Sequence, residues 1–397
     1  MTTTINNEHK KLNVPNLRFP EFQGEWKEER LSDIADLYKG TGISKDQLSD
    51  EGEPCILYGE LYTKYKSETI REIVSKTNID NTKLARSKAN DVIIPCSGET
   101  AEDIATARCV LNGNILLGGD LNIIRLHGYD GTFMSYQLNG KRKYDIAKVA
   151  QGVSVVHLYG EHLKGVKTIN PCLAEQKKIA SLLTLLDERI ATQNKIIEDL
   201  KKLKCAIIEK LYSEIQGKEY SYRQLFEVVN ERNKQMEYSN ILSASQEKGM
   251  VNRDDLNLEI QFERSNVNTY KIVRAGDYVI HLRSFQGGFA FSDKLGVCSP
   301  AYTILRPNNL LEYGYLSYYF TSHRFIKSLI IVTYGIRDGR SINVEEWLNM
   351  KIAIPSKEQQ LHILKVLKSI DDIIENDEMY ATCLANQKQY LLHQMFI

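Results

Sequence analysis

Apolar residues recur in alternating steps of four and three over two stretches of the chain. At 179, 183, 186, 190, 193, 197, 200, 204, 207 and 211 the residues are Ile, Leu, Leu, Ile, Gln, Ile, Leu, Lys, Ile and Leu; the same steps from 363 to 395 give Ile, Leu, Ile, Ile, Asp, Ala, Leu, Lys, Leu and Met. A 3.5-residue apolar period marks one face of a helix that packs on another helix. The seam residues are therefore Ile179, Leu183, Leu186, Ile190, Ile197, Leu200, Ile207 and Leu211, with Ile363, Leu367, Ile370, Ile374, Leu384, Leu391 and Met395. Polar residues interrupt both seams at the same two places, Gln193/Asp377 and Lys204/Lys388. Unrelated core helices have no reason to share interruptions, so the two stretches are expected to pair with each other. Each seam spans about 33 residues, roughly 50 Å at 1.5 Å per residue.

Elsewhere the pattern changes. DVIIPC, NILLGGDLNIIRL, KTINP, YKIVRAGDYVIHLR, AYTILRP and MKIAIP are short, rich in β-branched residues and bounded by Gly, Pro or Asn, which predicts strands. FMSYQLNGKRKYDIAKVA and LEYGYLSYYFTSHRFIKSLI each predict a helix or helix pair. The order of elements is the same in both segments, and so is much of the sequence. Displacing the chain by 184 residues lays Lys167, Pro171, Gln176, Ile179, Leu183, Asp187, Ile190, Leu200 and Lys204 on identical residues, and Ile208 on Leu392. Asp91 meets Asp277 at 186, Gly152 meets Gly335 at 183, and Gln23-Gly24 is answered by Gln216-Gly217, the drift expected of loop insertions. The expected fold class is α/β: two repeated mixed α/β domains separated by two long helices, with pseudo-twofold symmetry. The boundaries read as an N-terminal arm (1–20), a first domain (21–171), a central helix (172–216), a second domain (217–355) and a distal helix (356–397).

Composition narrows the class. The chain has 397 residues, 42% hydrophobic and 26% charged, with only 8 Pro and 24 Gly, which excludes disordered and collagen-like chains. No window approaches 18 consecutive apolar residues, and MTTTINNEHKKLNV lacks an apolar core, so neither a membrane span nor a signal peptide is expected and the cytoplasm is the default. Seven Cys, the closest two 13 apart, give no CxxC spacing; they read as buried small hydrophobes. Net charge is zero, but Arg264 to Arg340 holds seven Arg and three Lys against four acids, a local +6 interleaved with Tyr302, Tyr315, Tyr318, Tyr319 and Tyr334. Such a segment suits contact with phosphates and guanine edges.

Catalytic signatures are missing from the sequence. There is no GxxxxGK[ST] phosphate loop, no HExxH and no paired Cys/His metal spacing. Neither PheGlnGlyGlyPhe at 285–289 nor Asn170-Pro171-Cys172 fits a methyltransferase motif, and the eight His show no i, i+4 pairing. No constellation supports a reaction or a bound metal.

VPNLRFPEFQGEWKEERLSDI at 14–34, Pro171 to Ile179 with LLDERI following, and PSKEQQLHI at 355–363 with IDDII closely resemble the specificity subunit of type I restriction-modification enzymes, over nearly the whole chain. In the second copy Glu358-Gln359 follows Pro355 one residue earlier than Glu175-Gln176 follows Pro171, a departure expected to affect only the turn entering the helix. The resemblance implies a non-catalytic DNA reader. Two target recognition domains each read half of a bipartite, asymmetric site, and an antiparallel coiled coil sets the gap. Two methyltransferase subunits flank it with S-adenosylmethionine, and restriction subunits join for ATP- and Mg-dependent translocation and cleavage; no cofactor is expected on this chain. Competing classes are a stand-alone DNA-modifying enzyme and a coiled-coil scaffold for proteins; the missing catalytic motifs oppose the first and the Arg-rich segment the second.

Base-reading residues are then sought at polar loop positions beside strand ends. In the first domain these are Lys39, Tyr58, Glu60, Tyr62, Ser97, Glu99, Thr100, Gln151, Ser154 and His157; in the second, Ser243, Ser245, Gln246, Arg283, Ser284, Gln286, Tyr334, Arg337, Arg340 and Ser341. A Glu accepts from cytosine N4, and Gln pairs with adenine through two hydrogen bonds.

Overall fold

The computed structural model describes residues 12–80, 82–152, 155–245, 248–255, 264–281, 288–334 and 341–397. Two helices dominate it, Leu173–Ser213 and Lys357–Met395, the stretches with heptad spacing. The chain forms two compact units, Met1–Asn194 with Met379–Ile397, and Lys195–Glu378, so each long helix is shared between units rather than standing apart.

In the first unit a five-stranded sheet runs in the order Ala35–Lys39, Leu121–Leu126, Asp91–Pro95, Arg108–Val110, Thr69–Ile70, antiparallel except for the last pair. In the second, Phe226–Val229, Thr303–Pro307, Tyr278–Ile280 and Phe289–Phe291 repeat the first four places in the same antiparallel order. A two-stranded ribbon closes each unit: Lys27–Arg30 on Lys167–Asn170, and Lys218–Ser221 on Lys351–Ile354. Asp91–Pro95 is buried throughout, which explains why its sequence is continuously apolar after the aspartate. The two segments predicted as a helix or helix pair are both pairs, Gly131–Asn139 with Lys143–Val149 and Tyr315–Tyr319 with His323–Ser328.

The repeat extends to buried charges. Asp91 is 1% exposed; its carboxylate accepts the Lys88 N–H (2.7 Å) and two bonds from Arg125, Nε at 3.0 Å and Nη2 at 2.8 Å. Asp277 does the same in the second unit, accepting the Arg274 N–H (2.9 Å) and Arg306 Nε and Nη2 (3.0 and 3.2 Å). Each bridge ties the turn before a central strand to its neighbour in the sheet. A paired fork geometry satisfies both charges, so the carboxylate can lie under the sheet edge.

The family-like segments have structural work. Arg18 of the arm makes a two-bond pair with buried Glu175, Nε to Oε1 and Nη2 to Oε2, both 2.8 Å. Buried Gln176 accepts the Asp130 N–H (2.9 Å) and donates to the Pro171 carbonyl (2.8 Å), and Gln360 accepts the Glu312 N–H (2.8 Å) and donates to the Leu310 and Pro355 carbonyls. The counterpart of Gln176 is therefore Gln360, and position 359, opposite Glu175, is a glutamine. The one-residue offset thus changes more than a turn: the second unit has no carboxylate where the first seats Arg18.

In the first unit Ile179 and Leu183 pack with Met395, Phe396, Trp26, Phe133 and Tyr136. In the second, Ile363 and Leu367 pack with Ile208, Tyr212, Tyr222 and Trp347. Within each unit the early part of one long helix thus meets the late part of the other, an antiparallel pairing. The expected seam holds at Ile179, Leu183, Leu186, Ile197, Ile363, Leu367, Ile374, Leu384 and Met395, which are buried, and at Ile190, Leu200, Ile370 and Leu391, which are half-buried. It drifts at the C-terminal end of the first helix, where Ile208 and Tyr212 are buried and Ile207 and Leu211 only half so. An α-helix departs from a strict heptad by about 20° per repeat, so the contact moves one residue on.

Two other expectations are corrected. Cys55, Cys96, Cys109 and Cys298 are buried, but Cys172, Cys205 and Cys383 are exposed on or beside the long helices. In the +6 segment, Tyr315 is fully buried, Tyr318 and Tyr319 pack on the aromatic core, and Arg274 and Arg306 both bind Glu231. These two arginines and three tyrosines are thus paired or packed within the unit, while Arg283, Arg337 and Arg340 lie outside the described residues. Among the described residues no helix is long and apolar enough to cross a membrane.

Asp91→Ala and Asp277→Ala are each expected to lower unfolding free energy by about 2–3 kcal/mol in urea titrations. That is below the value for a fully enclosed pair, because Arg125 and Arg306 retain some water contact. A loss within about 0.5 kcal/mol, the range of an ordinary surface change, would show that the bridges do not anchor the sheets.

Candidate nucleic-acid interface

Several candidates of the first unit converge. The turn at Glu60–Thr63 follows the strand Glu53–Ile56 and faces the short strand Ser97–Gly98, itself paired with Val156–His157. Tyr62 Oη donates to the Ser97 carbonyl (3.0 Å), which pins the turn to the strand. Gly98 permits the approach: a Cβ there would lie 3.1 Å from Tyr62 Oη and 3.2 Å from Ile104 Cβ. The result is a cavity of about 710 Å³ walled by Tyr58, Tyr62, Ser97 and Glu99, with Lys66, Asp103 and Arg108 among its other lining residues. Thr100 caps the next helical turn, accepting the Asp103 N–H at 3.1 Å. Ser97 Oγ lies 3.3 Å from His157 Nδ1, and Gln151 bridges His157 through the backbone, so these three continue from the cavity's edge. Lys39 is exposed at the end of its strand, close enough to Cys96 to lower the thiol's pKa, although burial outweighs it and pushes Cys96 up to about 11.

One candidate is withdrawn from the surface. Glu60 is 5% exposed, and its carboxylate accepts from the Leu57 N–H (3.0 Å), from Lys64 (2.7 Å) and from Ser75. A carboxylate so enclosed and bonded on both oxygens holds the turn in shape rather than facing a base edge. Sequence reasoning also missed cavity residues. Arg108 is buried, and donates from Nε to the Tyr65 carbonyl (3.0 Å) and from Nη1 to the Ala107 carbonyl (2.9 Å). Burial pulls its pKa down, offset by Glu68 and Asp187. A charged residue opening the strand Arg-Cys-Val was the only signal of it.

In the second unit the candidates fall on two hairpins. Ser243 and Ser245 lie half-buried on Leu242–Ser245, paired with Gly249–Asn252, and Ser245 Oγ accepts the Lys248 N–H at 3.3 Å. Tyr334 pairs in the ladder with Ser341; it is exposed, and its hydroxyl donates to Glu346 at 2.7 Å. Ser154, Gln246, Arg283, Ser284, Gln286, Arg337 and Arg340 lie outside the described residues. Among those described, no group of three or more His, Cys, Asp and Glu is arranged to hold a metal ion.

A doubled α/β unit, a paired helix from each half and loops gathered at strand ends find their match in one family. The model of the type I restriction modification DNA specificity domain matches residues 23–202 and again 217–380. The chain belongs to that family. It is a DNA specificity subunit of a type I restriction-modification system, from a family that supplies DNA recognition and no catalysis of its own. It is similar to the type I restriction enzyme MjaVIII specificity subunit of Methanocaldococcus jannaschii, 26% identical over 90% of this chain and 88% of that one. The fold is similar to the S subunit of the type I restriction-modification system from M. genitalium, with 15% identity, TM-score 0.58, and 97% and 99% of the two chains covered. It is also similar to a chain from a structure of complex assembly and conformational transition of the type I R-M system, with 13% identity, TM-score 0.59, and 94% and 97% covered.

Tyr58 and Glu99 are the solvent-facing candidates on the specificity subunit's cavity. Tyr58→Ala and Glu99→Gln are expected to leave stability within about 0.5 kcal/mol while relaxing base preference at one or two adjacent positions of the methylated motif, by about 5- to 150-fold. An unchanged motif in both variants would remove the cavity from the reading surface.

Proposed function

We propose that the two units are target recognition domains, at 21–171 and 217–355, each reading one half of a bipartite, asymmetric DNA site. The helices at 172–216 and 356–397 set the gap, and residues 1–20 form an N-terminal arm, whose Arg18 binds Glu175. The observation that carries this is the repeat itself: one strand order built twice, with different loops at the ends of equivalent strands. Identical scaffolds give pseudo-twofold symmetry suited to two methyltransferase subunits on opposite strands, while unlike loops let the half-sites differ. The resemblance extends the reading to the partners. Two methyltransferase subunits carry S-adenosylmethionine, and restriction subunits use ATP and Mg, all in the cytoplasm with double-stranded DNA. The reading cavity of the first domain, with Arg108 as donor and Glu99 and Asp103 as acceptors, offers groups that complement a base edge.

Exchange of residues 22–165 for the matching segment of a relative is expected to change one half of the methylated motif and leave the other half and the gap unaltered. Joint change of both halves would overturn the two-reader reading. Insertion of a heptad after Lys195 and another after Met379, beside the division between the compact units, lengthens each helix by about 10 Å. The gap should then widen by one to three base pairs at 3.4 Å each, with both half-sites preserved, whereas insertion in one helix alone should abolish activity or solubility. An active double insertion with an unchanged gap would show that the helices do not set it.

A further inference from the structure

The polar interruptions of the helical seams meet partners that repeat. In the first unit Lys388 of the second long helix bonds Asp187 of the first at 2.7 Å, and Tyr136, from the recognition domain's helix Gly131–Asn139, donates to the other Asp187 oxygen at 2.6 Å. In the second unit Lys204 of the first long helix pairs with Asp371 of the second, and Tyr318, from Tyr315–Tyr319, donates to Asp371 at 2.6 Å. The ammonium also lies over the tyrosine ring in both, at 5.5 Å on Tyr136 and 5.2 Å on Tyr318. Lys204 and Lys388 are 184 residues apart, as are Asp187 and Asp371. Each aspartate therefore binds its own domain through tyrosine and the other repeat's helix through lysine.

We propose that Asp187–Lys388–Tyr136 and Asp371–Lys204–Tyr318 are positioning joints that fix the register of the helix pair and the place of each recognition domain along it, and so hold the gap in the DNA site to one length. Apolar seam residues cannot do this alone. A seam of Ile and Leu slides by a heptad and finds similar contacts, while a lysine that slides away leaves a carboxylate unpaired. The tyrosine adds what helix register needs no help with: it ties a reading domain to the same carboxylate. The joints differ in strength. Lys388 also bonds Glu68 at 2.8 Å, from the segment just before the strand Thr69–Ile70, and its side chain is 15% exposed against 26% for Lys204. Burial lowers the Lys388 pKa, but the two carboxylates outweigh it and hold the ammonium charged.

The proposal rests on the two-reader reading, and the half-exposed second joint tests it with little risk to folding. K204D, D371K and the double variant K204D/D371K are expressed with the methyltransferase subunits, and the motif methylated in cells is sequenced. Each single variant places like charges together and is expected to lose discrimination between the parental gap and gaps one base pair longer or shorter, by about tenfold or more, with both half-sites intact. The double variant restores an opposite pair and should restore the single gap, which shows that the pair itself acts, while gap broadening with intact half-sites is what a merely stabilising contact would not give. Active single variants confined to the parental gap would overturn the joints. Where the single variants fail to fold, a folded double variant with the parental gap supports the joints, and a double variant no better than the singles overturns them. The unaltered protein distinguishes the levels: a methylated motif without a gap sinks the two-reader reading itself.

Discussion

An ammonium inside an apolar helix seam is tolerable only where a carboxylate meets it, and this constraint organises the molecule. Desolvating a charge costs several kcal/mol unless a partner is fixed in place. Lys204 and Lys388 occur at equivalent seam positions of two repeats, so their partners must occur at equivalent positions too. Asp187 and Asp371 satisfy that requirement only if the helices run antiparallel, each repeat's lysine reaching the other's aspartate. Burial is felt around the first set: it pushes the Tyr136 hydroxyl well above its ordinary pKa, a shift that Asp187 reinforces. Burial also raises Asp187, where Glu68 adds to the effect, while Glu68 is held low because Lys388 outweighs its own desolvation. One ammonium thus serves two acids, Asp187 on the helix and Glu68 on the recognition domain.

The same logic separates what the repeats share from what they do not. Strand order, the closing ribbon, the buried Asp–Arg bridge and the glutamine at the head of each long helix are duplicated because each satisfies a buried polar group or completes a core. Elements that serve no shared burial diverge. The first unit adds a four-stranded sheet, Leu116–Leu117, Glu53–Ile56, Ser75–Thr77, Leu48–Ser49, which carries the turn beside the cavity; the second has the ribbons Leu242–Ser245 with Gly249–Asn252 and Lys271–Val273 with Gly296–Cys298. Variation concentrates where loops leave a rigid scaffold, as expected where binding is decided by loops.

Legibility in the sequence followed periodicity. The long helices, the main strands and the doubled architecture were readable because burial imposes a period on the side chains that make them. The heptad drifts at Ile207 and Leu211, which pack only partly buried on the core, where an undistorted helix turns Ile208 and Tyr212 fully inward. Local composition misled at Tyr315, Tyr318 and Tyr319, whose proximity to arginines looked like a binding patch but whose spacing serves an aromatic core. Glu60 and Arg108 show the remaining limit. Glu60 was expected at the surface and is enclosed, Arg108 was not among the candidates and lines the cavity, and Ser75 and Tyr65 reach them through the tertiary fold.

Glu68 carries this argument one step further. It lies two residues beyond cavity-lining Lys66, and its bond to Lys388 joins the recognition segment to the helix pair. Arg108 is close enough to Glu68 and Asp187 for their charges to raise its pKa against burial, while its guanidinium lines the same cavity. Cavity wall and helix joint in the first unit are therefore parts of one electrostatic cluster. In the second unit the corresponding lysine meets one aspartate and a tyrosine. A recognition domain that supplies its own carboxylate to the joint is constrained at that position even where its base-reading loops are free to change. For the first domain, exchange of specificity thus requires more than a compatible outline: the incoming segment must bring an acid at 68, or leave Lys388 to Asp187 alone.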